Sequence, residues 1–377
     1  MVKGMNLENL KNNNKIAILS YLNKNGESSR KKIAEGLNLT TATLTILTNE
    51  LIEEGIVVEL GALTEGKVGR KQILIDIKKE SKLVVGIEIS KNSIHYNLID
   101  LKTNIVENLS WKYEKPFEEN FFKNILGEIL RTLKDRKELL LGVGVTVYGS
   151  LSENDIWERE VPDIKKIVEE EMRLPVFIQN NIRALALTEE YLNKAERDFW
   201  LVKYGPGVGA AIIMNGELVE GNKRLAGDIG HISFESGEEI CRVCGQIGCL
   251  ESEVNFEKLL KEFEKEILIK NPIQEGEKDS EYILRLINTS KTNEMKLEKA
   301  LQKIGKAISI GASILDSNKI ILAGDILENF DLFKILQENI LKNSLVLKNE
   351  DIIFMEEYVE KRKKSAGILV LKNFYNC

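Results

Sequence analysis

Cys241, Cys244 and Cys249 fall within one short segment, CRVCGQIGCLE, and His231, one of only two histidines in the chain, lies shortly before them. Three thiols and an imidazole at that spacing suit a closed structural zinc site, in which four S and N ligands saturate the ion. A redox pair is the other chemistry open to Cys241 and Cys244, although it leaves Cys249 and His231 unexplained. Asp228, in AGDIGHISF, is near enough in sequence to share a pocket with His231. Two further segments have chemical potential. In GPGVG, Gly205 to Gly209, bare backbone could approach an anion such as phosphate; a tight hairpin would ask for the same residues. Asn180-Asn181 ends the apolar run PVFIQ and opens a helical pattern. Strand ends of an α/β sheet are where ligand-binding side chains gather. Carboxamides there can bind hydroxyls but cannot serve as a general base near neutral pH, and either Asn could equally be a helix cap.

A different chemistry belongs to the first eighty residues. Ile16, Leu19 and Leu22 recur at helical spacing until Asn25-Gly26 stops the pattern. Ser28 or Ser29 can cap a second short helix, RKKIAEGL, with Ile33 and Ala34 inward. A third, TATLTILTNELIEEG, puts Leu44, Leu47 and Leu51 on one face. Asn38 takes the turn position between them, where a positive φ is often needed and Asn tolerates it. The result is a helix-turn-helix. Thr41, Ala42, Thr45, Ile46 and Asn49 form the outward face of its third helix; hydroxyls, an amide and small apolar groups can read base edges and thymine methyls. Two β-rich runs, IVVEL and QILIDI, then flank a Gly-rich basic link, a wing whose Arg70 and Lys71 could reach DNA backbone or minor groove. The same three helices could instead bind protein or only stabilise the rest of the chain.

Composition limits the setting for both. With 377 residues, 43% hydrophobic and 30% charged, the chain holds two or three ordinary domains with full cores. Only 5 prolines against 27 glycines excludes a fibrous or low-complexity chain. A net charge of −6 gives no global attraction to nucleic acid, so DNA binding needs a local patch. Residues 1–78 carry 11 Lys and Arg against 9 Asp and Glu, hence +2 there and −8 beyond, which has the right sign but is small. The start is polar, without the apolar stretch of a signal peptide, and no run of about 18 apolar residues occurs to span a membrane. A cytoplasmic protein is expected. From Leu83 onward, strands alternate with helices, with LVVGIEI, IHYNLIDL, LLLGVGVTV, PVFIQ and KIILAG as strands, so the main body is α/β with mixed sheets.

These segments resemble the ROK family of repressors, open reading frames and sugar kinases. NKIAILSYL, SSRKKIAEGLNLTTATLTILTNELIEEGIVVE and GRKQILIDI are similar to the winged helix of its regulators, of the xylose and N-acetylglucosamine repressor type. GVGVTVYGSL, PVFIQNN, GPGVGAAIIMNGELVEG, AGDIGH and CGQIGCLE are similar to its sugar-binding domain. The resemblance implies a mainly α winged helix-turn-helix over 1–80, then a two-lobed actin-like, RNase H-like α/β sensor domain over 81–377. Lobe one would take about 81–182 plus a C-terminal helix at about 364–377, and lobe two about 183–363. It implies Asn180, Asn181, Asp228, His231 and Glu251 as sugar contacts, with His231 holding zinc through one ring nitrogen and a sugar hydroxyl through the other. It further implies a dimer or tetramer on operator DNA, answering to a sugar or sugar phosphate. Departures from the family's kinases stand in three places. Their Asp-x-Gly-Gly-Thr phosphate loop reads EISKNS here, Glu88 to Ser93; their catalytic Asp is Asn181; their late Gly-Gly is Ala323-Gly324. Asp228 also replaces a Glu, and the first two cysteines are one residue further apart than usual. No phosphotransfer and no need for ATP are expected; a sugar kinase with an appended DNA-binding domain is the alternative.

Overall fold

The computed structural model describes residues 7–62, 73–90, 92–113, 117–149, 163–193, 197–234, 240–241, 244–266, 279–317 and 319–375. The wing residues Arg70 and Lys71 lie outside them.

Three helices open the chain: α1 (Leu7–Asn25), α2 (Arg30–Leu37) and α3 (Thr41–Glu53). Ile18, Leu19 and Leu22 are buried, with Ile33 and Ala34 of α2 and Leu44, Leu47 and Leu51 of α3. The inward face of α1 is thus centred on Ile18, and Ile16 is only partly covered. At 3.6 residues per turn Lys15, Ile18, Leu19 and Leu22 share one side, and Lys15 takes its polar edge. Ser29 caps α2, its side chain accepting from Lys32 N, and Asn38 ends the helix at φ 52°, ψ 37°. Both follow from the side chains: a hydroxyl satisfies an orphan N–H, and Asn bears left-handed backbone at small cost. The wing pairs β2 (Val57–Ala62) with β3 (Ile73–Ile77), antiparallel, with an irregularity between Glu59 and Gly61. A two-residue strand, β1 (Ser28–Ser29), adds to the other edge of β3.

The chain divides into two compact units. The first comprises Met1–Tyr148, Pro162–Gln179 and Lys363–Cys377; the second comprises Gly149–Val161 and Asn180–Arg362. Beyond the winged helix, the first unit holds β4 (Leu83–Ile89), β5 (Ser93–Asp100), β6 (Ile105–Lys112), α4 (Glu119–Thr132), β7 (Leu140–Val147), α5 (Ile164–Met172) and β8 (Val176–Asn180), whose last residue passes to the second unit. Its sheet runs β6-β5-β4-β7-β8. The second unit holds α6 (Asn181–Leu192), β9 (Phe199–Tyr204), β10 (Val208–Met214), β11 (Glu217–Leu218), α7 (Leu250–Val254), α8 (Phe256–Glu266), α9 (Asp279–Asn288), α10 (Lys291–Leu315), β12 (Ile320–Ala323), α11 (Phe330–Asn343) and β13 (Ile352–Phe354). Its sheet runs β11-β10-β9-β12-β13. In both, a central strand pairs antiparallel with its successor and parallel with a later strand. The same order is therefore built twice.

α12 (Tyr358–Tyr375) ends the described chain, and from Lys363 it belongs to the first unit. There Gly144 of β7 lies so close that a Cβ would stand 1.7 Å from the Ala366 carbonyl oxygen. β4 is buried along its whole length, as a central strand covered on both faces must be. In the second unit α10 and α11 pack beside each other, and Ser309 donates to the Ile340 carbonyl at 2.8 Å. No helix among the described residues is long and apolar enough to cross a membrane.

Candidate functional site

Residues 231–234 and 248–250 run side by side through Phe234 N to Gly248 O at 2.8 Å and Leu250 N to Ile232 O at 2.9 Å. Between them the chain doubles back at Gly245, whose φ of 76° suits a residue without Cβ. This ladder gathers His231, Cys241, Cys244 and Cys249, whose ligand atoms all lie within 4.8 Å of one another. Cys241 Sγ is 3.8 Å from His231 Nδ1, and Cys244 Sγ is 3.4 Å from Cys249 Sγ. A tetrahedron of ordinary Zn–S bonds has edges of about 3.8 Å, so the donor set fits zinc in both chemistry and spacing. Burial, with Cys244 and Cys241 beside it, pushes the Cys249 thiol up to about 12. Three thiolates packed together would repel one another, and a cation would compensate their charge.

α7 carries Glu251 out of the same cluster. Its Oε2 accepts from Val208 N at 2.8 Å and its Oε1 from Asn255 Nδ2 at 2.8 Å. A Cβ on Gly207 would stand 2.4 Å from Glu251 Oε1, so the glycine is what lets GPGVG close over the carboxylate. Gly230, next to His231, would bring a Cβ within 3.5 Å of Glu251. Glu251 therefore ties the Gly205–Gly209 turn to the loop of Asp228 and His231. Asp228 starts a single helical turn, Ile229–His231, and its carbonyl accepts from His231 N at 3.1 Å. Asn180 takes the cap role: Oδ1 accepts from Ile182 N at 2.9 Å and Arg183 N at 3.2 Å, and Nδ2 donates to Gly149 O. Asn181, the first residue of α6, is half-buried. Arg183, one turn in, was not singled out by sequence. It is buried, and Nη2 donates to the carbonyls of Arg224 at 2.6 Å and Ala226 at 3.1 Å. It ties the start of α6 to the segment entering Asp228. An arginine inside a helical pattern gives no such signal before its acceptors are known.

On α3, Thr41, Ala42, Thr45, Ile46 and Asn49 are all exposed, Ile46 at 60%. Such exposure of a large apolar side chain suits contact with thymine methyls. Thr45 Oγ1 donates its hydrogen to Thr41 O at 2.7 Å, so toward an outside partner its oxygen would act as an acceptor. Glu50, which would repel phosphate, is drawn aside by Lys11 at 2.7 Å and Lys15 at 2.8 Å. Hydrogen bonds from these lysines, Lys11 first, hold its carboxyl below the usual range.

The ROK family profile matches residues 84–369, and a winged helix-turn-helix DNA-binding profile matches residues 11–58. The chain belongs to the ROK family. Among its relatives, the xylose repressor of Caldicellulosiruptor bescii is 28% identical, over 81% of this chain and 80% of that one. The DNA-binding transcriptional dual regulator NagC of Escherichia coli K12 is 25% identical, over 86% and 83%. Among solved structures, a ROK family transcriptional regulator, homolog of the E. coli MLC protein, matches with a TM-score of 0.77 at 19% identity, over 97% of both chains. A ROK hexokinase from Thermus thermophilus matches with 0.64 at 19%, over 78% of this chain and 100% of its own. Both share the fold. The hexokinase match spans the smaller share of this ROK chain, whereas the regulator match runs over nearly all of it.

Within the first unit, Ser90 and Ser93, in the segment that the resemblance sets against the kinases' phosphate loop, bond each other. Ser90 N donates to Ser93 O at 2.9 Å, the two serine hydroxyls are 2.6 Å apart, and Tyr113 OH donates to Ser90 O. Lys91 falls outside the described residues. Gly324, at the other glycine position, has φ 126°, and a Cβ there would meet Tyr204 O at 2.0 Å.

Proposed function

We propose that this ROK chain is a sequence-specific DNA-binding transcriptional repressor, switched by a sugar or sugar phosphate and without phosphotransfer activity. The observation that carries it is one chain in which a winged helix-turn-helix precedes a ROK domain; Asn181, at the position the resemblance gives to the kinases' catalytic carboxylate, supports the lack of phosphotransfer. The relatives named as a xylose repressor and as a DNA-binding transcriptional dual regulator support the same reading.

In this account α3 enters the major groove, with Thr41, Ala42, Thr45, Ile46 and Asn49 toward base edges and Arg70 and Lys71 of the wing at the backbone or minor groove. Asn180, Asn181, Asp228, His231 and Glu251 form the effector site of the second unit. Asn180 acts mainly by capping α6, Glu251 by bracing the Gly205–Gly209 turn, and Asp228 and Asn181 by binding hydroxyls. His231 Nδ1, Cys241, Cys244 and Cys249 would hold a structural zinc ion. When bound, the ion supplies a fixed crosslink. The residues around it do the rest: the ladder at 231–234 fixes the loop that carries His231, whose other ring nitrogen the family resemblance assigns to a sugar hydroxyl. A carboxamide at Asn181 can orient a sugar but cannot take its proton, and loss of a general base typically costs 10²–10⁴-fold in rate, about that much before any change at the phosphate turn.

A thermal-shift screen of the full chain against monosaccharides and their phosphates, run beside an ATP-turnover assay, tests this. The expected result is stabilisation by at least one sugar with no sugar-dependent ADP release. Sugar-dependent ADP release would put the kinase reading in its place.

A further inference from the structure

Arg30, the first residue of α2, has a guanidinium that joins three elements of the winged helix, α2, α3 and β2. Its Nε donates to Thr48 Oγ1 at 3.0 Å, and its Nη2 donates both to Asn49 Oδ1 at 3.3 Å and to Glu59 Oε1 at 2.8 Å. Thr48 is buried, and its own hydroxyl donates to Leu44 O at 2.8 Å, so the anchor at the Nε end is firm. Glu59 lies on β2 and holds the other end of the fork by charge. A guanidinium has donors only, so the atom of Asn49 turned toward it must be the amide oxygen. With Oδ1 engaged by Arg30, the Nδ2 amide and its two hydrogens are what Asn49, an exposed residue, has left to offer a base.

An unrestrained Asn reads adenine, giving one hydrogen to N7 and accepting one from N6; guanine alone offers two adjacent acceptors, N7 and O6. We propose that Arg30 is a specificity-determining positioning residue: by holding Asn49 Oδ1 it converts Asn49 from an adenine reader into a donor-only reader of guanine. This rests on the DNA-reading role of α3. Arg30 acts through Asn49 and does not itself need to touch a base.

The test is selection from a randomised duplex library with the full chain, comparing base preference position by position. Asn49→Ala locates the position, because preference vanishes there. The wild-type chain then shows guanine at that position, about five-fold over adenine, the equivalent of one hydrogen bond. Arg30→Met moves the preference to adenine, and the Arg30→Met, Asn49→Ala double variant matches Asn49→Ala. Asn49→Asp keeps the bond to Arg30, and with it the fold, but turns an acceptor outward; the preference moves to cytosine, whose edge offers N4 hydrogens. Adenine at the Asn49 position in the wild type, or an Arg30→Met effect at a different position, overturns the inference while leaving DNA reading intact. If the wild-type chain enriches no sequence at all, the DNA-reading role itself falls, and this inference with it.

Discussion

At the scale of single residues, the buried thiols make the sharpest demand. Cys241 and Cys249 are almost fully covered, and burial, with Cys244 and Cys241 beside it, pushes Cys249 up to about 12, so a bound cation is what would stabilise the thiolates there. We expect metal analysis of the purified chain to give about one zinc per chain, and Cys249→Ser to release it. Metal-free protein with all three clustered thiols freely titratable would contradict this. Much of this scale was legible. Asn38 and Ser29 do in the structure what their side chains dictate, and the Cys-His cluster assembles. Asn180 was legible as a polar strand end, but sequence left cap and ligand open, and its bonds to Ile182 N and Arg183 N give the cap. Arg30 and Arg183 stayed hidden because their partners are separated from them in sequence, and a charged residue in a helical pattern ordinarily means a solvated face.

Elements are held by contacts that periodicity does not contain. β7 meets α12 so closely that Gly144→Ala would drive a Cβ to 1.7 Å from a backbone oxygen. Backbone cannot yield as a side-chain end can, so the change should cost about 3 kcal/mol or more, read as a lowered urea midpoint. An unchanged midpoint would show that the close approach is absent. In the second unit Lys361 Nζ bonds Glu189 Oε2 at 2.6 Å, both side chains nearly inaccessible. Lys361→Met should destabilise by about 3–5 kcal/mol by stranding a buried charge, and Lys361→Met with Glu189→Leu should recover most of that. If the double variant is no better than the single one, the pair does not act as a pair. Strands and helices of the α/β body were legible from apolar runs and period. β1 was not: two serines carry no alternation, and only the edge of β3 makes them a strand. Nor was the doubled sheet order legible, since strand neighbours depend on long-range pairing that leaves no local pattern.

For the whole molecule, the account requires that the winged helix and the effector site act as one device. One α3 reads only a few base pairs, and two-fold operators call for two-fold proteins. The solution mass at micromolar concentration should therefore be that of a dimer or tetramer; a monomer that also binds DNA as a monomer would contradict this. Coupling of about 1–3 kcal/mol is enough to change occupancy 5–150-fold. Asp228 is the cleanest place to cut it, because His231 also belongs to the metal cluster, and Glu251 and Asn180 hold the local fold. The decisive measurement is the affinity of the full chain for a duplex it has selected, with and without the sugar that stabilises it. The account predicts that the sugar shifts the dissociation constant of the wild-type chain at least about 5-fold, that Asp228→Ala binds the duplex normally but ignores the sugar, and that residues 81–377 alone do not bind it. An Asp228→Ala chain that still answers the sugar, or a duplex bound equally well without residues 1–80, would contradict it.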